Sequence, residues 1–322
     1  LSIGAHPDDA DTYCGGLLSK LRDKGWQVRL LSVTDGSAGT YHAEVTREEL
    51  KLQRRSEAAA SGRLLGGRYD VLDYPDGQLQ VTLEAREHLI RYIRTFAPDV
   101  ILTNRTNDYH ADHRNVSLLV QDASFLLTVP KICPDTPYLE DTPAILFWGD
   151  DFMKPYPHQP DIIVPLADER MDLKVKLASC HECQYVDWMY WPHHTERIEW
   201  PREKQVAMLS ERYHAGSQAE ADRLRGKRLC IRTAGGHVQQ RIGGLVFIEV
   251  PHLRHQLDAG GKLAARDAQN GMRALAPEAR GREQLDLAVE AAAAQLDQNV
   301  AVLYAARVVR RAGDQAGDDG VA

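Results

Sequence analysis

The 322-residue sequence has no G-x-G-x-x-G after its first predicted strand and no G-x-x-x-x-G-K-[ST] anywhere, so dinucleotide and P-loop readings lose their main support. Its five cysteines, Cys14, Cys133, Cys180, Cys183 and Cys230, are a sparse, odd set that does not suit a disulfide framework and points to a reducing compartment. Basic charge is in deficit: 39 Lys and Arg against 46 Asp and Glu give a net charge of −7, which argues against nucleic acid as a partner. No stretch of about 18 apolar residues occurs, so no membrane contact is expected. The chain opens on LSIGAHPDD without the basic and apolar regions of a signal peptide. A cytoplasmic protein is expected, with a few residues missing before Leu1.

What is present suits a globular enzyme, with 43% hydrophobic and 26% charged residues. From Leu1 to about Val120, short apolar runs alternate with longer amphipathic ones, the signature of a parallel sheet covered by helices. The predicted strands are Leu1–Ala5, Val28–Thr34, Tyr69–Tyr74 and Val100–Thr103. The predicted helices are Gly15–Lys24, Arg47–Leu65, Leu83–Phe96 and Asp112–Leu127. The fold class is therefore α/β, a doubly wound, mainly parallel sheet with helices on both faces. Residues 130–165 read as loops around one strand, Ala144–Trp148, followed by a helix over Arg170–Cys183. Trp188, Trp191, Trp200, Tyr185 and Tyr190 form an aromatic cluster, read either as a lid or as a packed subdomain. Late strands are expected at Leu229–Thr233 and Gly244–Val250. The composition then shifts, giving a main domain over 1–255 and an Ala-rich tail over 256–322, with a helix at Leu285–Val309 and a disordered end.

Two polar segments at the carboxyl ends of strands carry chemistry-bearing residues, and open parallel sheets bind ligands at that edge. The first places His6, Asp8 and Asp9 within four residues. Adjacent carboxylates at a sheet terminus cost free energy unless a cation or donors compensate, and imidazole with carboxylate suits Zn²⁺. Helix capping by one Asp is the competing reading, and it explains neither the second carboxylate nor the histidine. The second segment carries His110, Asp112 and His113. If the first and fourth strands are neighbours, His6, Asp9 and His113 supply three ligands and leave a fourth position for water, as in catalytic zinc sites. Asp112 is then expected to orient His110 by accepting a ring N–H. A solvated polar loop without metal is the alternative. Cys180 and Cys183 form a C-x-x-C, read as two ordinary thiols in preference to a redox pair or half a zinc ribbon. His193, His194 and His214, and the Arg307, Arg310 and Arg311 cluster, are read as surface groups.

The combination of AHPDD, Gly15 and Gly16, TDGSAGT, Arg54 with Glu57 and Ala58, and DYHADHRNV resembles the PIG-L/LmbE-like family of zinc-dependent N-acetylglucosamine deacetylases. The chain is most similar to the bacillithiol-type branch. The resemblance runs from Leu1 to Gln184, where KLASCHECQ is similar to a family segment. It implies a Rossmann-like fold, zinc held by His6, Asp9 and His113, Asp8 as general base activating a zinc-bound water, and His110 as an imidazolium stabilising the tetrahedral intermediate. It also implies substrate contacts from Arg54, Arg105 and His181, and a homo-oligomer acting on a small amino-sugar conjugate. Departures are Ala10 and Asp11 where many members have Glu after the Asp pair, Ala111 in place of a proline, and Asp108 where mycothiol-type members carry a tyrosine. Hydrolysis of an N-acetyl group is the leading expectation. A larger amide of a sugar-thiol conjugate, or non-catalytic sugar binding on the same fold, are the alternatives.

Overall fold

The computed structural model describes residues 1–155, 157–158, 160, 162–186, 201–224 and 245–249. Its elements follow in the order β1 (Ser2–Gly4), α1 (Asp9–Asp23), β2 (Arg29–Thr34), α2 (Arg47–Leu65), β3 (Arg68–Tyr74), α3 (Leu83–Phe96), β4 (Val100–Thr103) and α4 (Ala111–Leu126). After these come β5 (Ala144–Trp148), β6 (Ile162–Pro165), α5 (Asp168–Cys180), a π-helical turn (Glu182–Val186), α6 (Arg202–Leu224) and β7 (Leu245–Glu249). The strands form one sheet in the order β3-β2-β1-β4-β5-β7-β6. The first five are parallel, and β7 runs antiparallel to both of its neighbours.

Strand composition explains why helices cover both faces. In β2, Leu30 enters one core and Leu31 the other, and in β4 Leu102 and Ile101 divide in the same way. A strand buried on both faces carries apolar residues in succession, as Leu30-Leu31 and Ile101-Leu102 do. Helices α1, α2 and α5 supply Leu17, Leu18, Ala58, Leu65, Met171 and Leu177 to one core; α3 and α4 supply Leu89, Ile93, Val116 and Val120 to the other. Helix α2 starts at a capping box in which the Thr46 hydroxyl accepts from Glu49 N and the Glu49 side chain accepts from Thr46 N. The chain runs outward from β1 to β3 on one side and from β4 to β5 on the other. Because β1 pairs with β4, a crevice opens beyond their carboxyl ends, where ligands of such sheets sit.

Three buried polar groups brace the layers. Arg94 on α3 donates to the carbonyls of Leu126, Leu127, Val129, Ile132, Cys133 and Thr136, tying the end of α4 to the loop after it. Lys174 on α5 is buried beside Cys14, with its ammonium 5.8 Å from the Tyr213 ring centroid. Burial lowers its pKa to about 8. Asp11 on α1 joins His181 at 2.7 Å and accepts from the Ser61 hydroxyl.

Several boundaries differ from the sequence expectation. Helix α1 begins at Asp9, not Gly15, and α5 ends at Cys180 before the π-helical turn. Strand β6 and helix α6 were not expected from the sequence. The Leu229–Thr233 strand, Trp188, Trp191, Trp200, Tyr190, the Leu285–Val309 helix and the boundary at residue 255 lie outside the described residues.

Candidate active site

Strand β1 stops at Gly4, where a Cβ would come 2.5 Å from the Asp9 Cβ. The missing side chain lets Asp9 fold back over the strand end, so that its Oδ2 accepts from Ala5 N at 2.8 Å and His6 N at 3.0 Å. From the neighbouring strand, α4 brings His113 in on its first turn. His6 Nδ1 and His113 Nε2 lie 3.1 Å apart, and Asp9 Oδ2 is 3.7 Å from the first and 3.5 Å from the second. A tetrahedral ion with ligands at about 2.0–2.1 Å spaces them about 3.3–3.4 Å apart, so these donors can hold a zinc ion. A looser set, with the ring nitrogens of His6, His110 and His113, lies within 4.8 Å.

Each candidate histidine ligand is backed by a carboxylate on its other nitrogen. His6 Nε2 lies 3.1 Å from Asp76 Oδ1 and 3.5 Å from Asp112 Oδ2, and His113 Nδ1 lies 3.0 Å from Asp108 Oδ1. Such partners fix ring orientation and raise ligand basicity. Burial opposes charge on His6, yet Asp112, Asp76 and Asp9 raise its pKa to about 10, so the local field favours a cation. Asp76 was not singled out in the sequence; its one signal is an Asp-Gly turn following β3 at the same sheet edge. It is held from two sides: its Oδ2 accepts from Ala38 N, and its own N–H donates to Asp35 Oδ1, which also accepts from Ser37 N. The DGSAGT turn after β2 therefore braces Asp76.

Asp8 occupies the N-cap position of α1 but makes no side-chain cap hydrogen bond. Its Oδ1 instead accepts from Arg54 Nη2 at 2.7 Å. Gly36 lets the DGSAGT turn close over that arginine: its φ is +69°, and a Cβ there would meet Arg54 Cδ at 2.7 Å.

The three residues expected at the substrate are all buried, and each already has a partner. Arg54 is 2% exposed and bound to Asp8. Arg105 is equally buried, with Nε 3.3 Å from Asp150 Oδ2 and Nη2 donating to Asn107 O. His181 has no exposed surface and pairs with Asp11; burial opposes its charge, but that carboxylate raises its pKa above the ordinary value. The contact between His110 and Asp112 differs from the one expected. Asp112 accepts from Gly77 N at 2.7 Å and Leu79 N at 3.2 Å, while His110 Nδ1 caps α4 by accepting from Asp112 N. Burial, then cationic His6 and His113, lower the His110 pKa. With Nδ1 accepting, the ring can donate only from Nε2. The C-x-x-C thiols are free and turned to other partners, Cys183 to Glu57 and Cys180 to the Lys176 carbonyl.

Residues 1–124 match the PIG-L family, described as GlcNAc-PI de-N-acetylase. Diacetylchitobiose deacetylase of Thermococcus kodakarensis is 31% identical over 208 residues, covering 62% of this chain and 75% of that protein. A 4-oxalmesaconate hydratase of Pseudomonas putida is 23% identical over 203 residues, covering 59% of this chain and 76% of that protein. Among solved structures, the inhibitor complex of N,N′-diacetylchitobiose deacetylase from Pyrococcus horikoshii aligns with a TM-score of 0.58 at 25% identity, covering 79% of this chain and 87% of that one. With this coverage and these motifs, the chain belongs to the PIG-L family of hydrolytic N-deacetylases.

Proposed function

We propose that the chain removes the acetyl group of an N-acetylglucosaminyl-type conjugate, using zinc held by His6, Asp9 and His113 with Asp8 as general base. The observation that carries this reading is the convergence of His6 Nδ1, His113 Nε2 and Asp9 Oδ2 within 3.1–3.7 Å of one another, with a second carboxylate one residue away. Zinc bound there supplies a Lewis acid for the acyl oxygen and lowers the pKa of a water towards about 7. Arg54 fixes the Asp8 carboxylate through Oδ1, and the other oxygen accepts the proton of the attacking water and returns it to the leaving amine. His110 presents Nε2–H to the developing oxyanion. Asp112 and Asp76 act through His6, holding its ring in place.

The sugar class follows by analogy with the diacetylchitobiose deacetylases. A cytoplasmic setting is supported by free thiols at Cys14, Cys133, Cys180 and Cys183. No described helix is long and apolar enough to cross a membrane.

The deciding experiment measures metal in protein purified without chelator together with acetate release from N-acetylglucosamine, N,N′-diacetylchitobiose and larger conjugates. About one zinc per chain and released acetate are expected. Asp8→Ala should keep zinc and lose turnover by about 10²–10⁴-fold, and His113→Ala should lose the zinc. A near-wild-type Asp8→Ala, or stoichiometric zinc in His113→Ala, would overturn those roles. Zinc without acetate would turn the reading to a larger amide.

A further inference from the structure

Tyr109 is 67% exposed, more than any other large apolar side chain among the described residues. A single exposed aromatic is ordinary on a protein surface, but three features set this one apart. Its ring stands edge-on to the two histidines of the second motif, with centroids 5.6 Å from His113 at 71° and 5.9 Å from His110 at 84°. It therefore forms the rim of the candidate metal centre. Its backbone is also pinned: Arg114 Nη1 donates to the carbonyls of Asp108 and Tyr109 at 2.8 and 2.9 Å, and Asp108 Oδ1 accepts from His110 N at 2.8 Å. A fixed backbone under a solvent-facing ring is a preorganised contact surface, because little freedom remains to be lost on binding.

The third feature is the company the ring keeps. Tyr13, one turn along α1 from Asp9, stacks on Trp148 with parallel planes at 5.4 Å. Burial raises the pKa of its hydroxyl, as do Asp9, Asp108, Tyr109 and Asp150 around the site. The guanidinium groups of Arg54, Arg105 and Arg114 are engaged with Asp8, Asp150 and the carbonyls of Asp108 and Tyr109. Tyr109 thus offers an aromatic face at the rim, which suits the C–H face of an uncharged sugar ring.

We propose that Tyr109 is a specificity-determining residue that packs its ring against the pyranose bearing the acetamide, steering the acyl carbon to the metal centre. The proposal rests on the deacetylase reading and deepens it by naming what holds the sugar. Stacking on an aromatic ring needs the π face and not the phenol oxygen, so phenylalanine should serve in its place.

The test uses the zinc-loaded full chain and N,N′-diacetylchitobiose. Tyr109→Ala should raise KM about five- to tenfold, with the loss in KM and not in kcat, and with zinc content unchanged. Tyr109→Phe should stay within about twofold of wild type. An unchanged KM in Tyr109→Ala, or a Phe variant as impaired as the Ala variant, would overturn the proposal. If the wild type releases no acetate from any glycoside, the deacetylase reading fails separately, and equilibrium binding of the same disaccharide decides the stacking. Binding that Tyr109→Ala abolishes supports it; no binding by the wild type, or equal binding by both, overturns it.

Discussion

Arg54 and Arg94 are both buried, on helices that cover opposite faces of the sheet, and their charges are met in different ways. Arg94 has no carboxylate partner among the described residues. Its guanidinium is spent on six backbone carbonyls, two of them from the last turn of α4, where the helix dipole is negative. Among the described residues Arg54 has one strong partner, Asp8, and one long contact to Gly36 O at 3.4 Å, while its buried Nε has no hydrogen-bond partner there. A saturated guanidinium holds a fold together; one left partly unsatisfied beside a functional carboxylate marks a place where geometry serves chemistry instead of stability.

Substituting both arginines tests this contrast most directly. Arg94→Met should cost about 3–5 kcal/mol and lower Tm on the order of 10 °C, with unchanged kcat in the protein that remains folded. A wild-type melting curve would show that the six carbonyls are held by something else. Arg54→Met should do the opposite, lowering kcat about 10²-fold with a small change in Tm, because Asp8 keeps access to water but loses its orientation. If the loss fell on KM alone, the expectation of a substrate-binding arginine would be restored.

A smaller effect sharpens the contrast with a third buried cation. Lys174 has a folded pKa of about 8 against 10.5 for the unfolded chain. Below pH 8 both states are protonated and the folded state carries the full burial penalty. Between these values the unfolded chain binds more protons, so stability rises with pH by roughly 3 kcal/mol. Lys174→Met should be more stable at pH 7 and should lack that rise in denaturant titrations run from pH 7 to 10.5. A rise that persists in the variant would assign it to other groups.

Much of the scaffold was legible because its signals are local. Arg47–Leu65 and Leu83–Phe96 match the observed helices residue for residue, since Thr46 and Thr82 cap them and Gly66 and Pro98 follow their ends. The first turn of α1 was hidden because Asp9 and Asp11 read as part of a polar motif. Strand β6 has only four residues in a Pro- and Asp-rich stretch, and α6 shows a thin apolar stripe of Val206, Leu209 and Tyr213 that packs on α5. In the site, the pairing of β1 with β4 brings His6, Asp9 and His113 together as that topology requires. Asp76 comes from a third turn that has no histidine of its own to draw attention. A sequence does not show whether a guanidinium faces water or a carboxylate, nor that a backbone N–H takes the His110 ring nitrogen.

The separation of the facing ring nitrogens has a consequence for assembly of the molecule. His6 and His113 are 107 positions apart in the chain, so no site exists until the first strand has found the fourth. An unfolded chain offers a cation only scattered donors, and whatever binds at this point stabilises the folded form alone. A bound ion would act as a removable cross-link, closing a loop of more than a hundred residues at the edge of the sheet and making native topology and metal retention a single equilibrium.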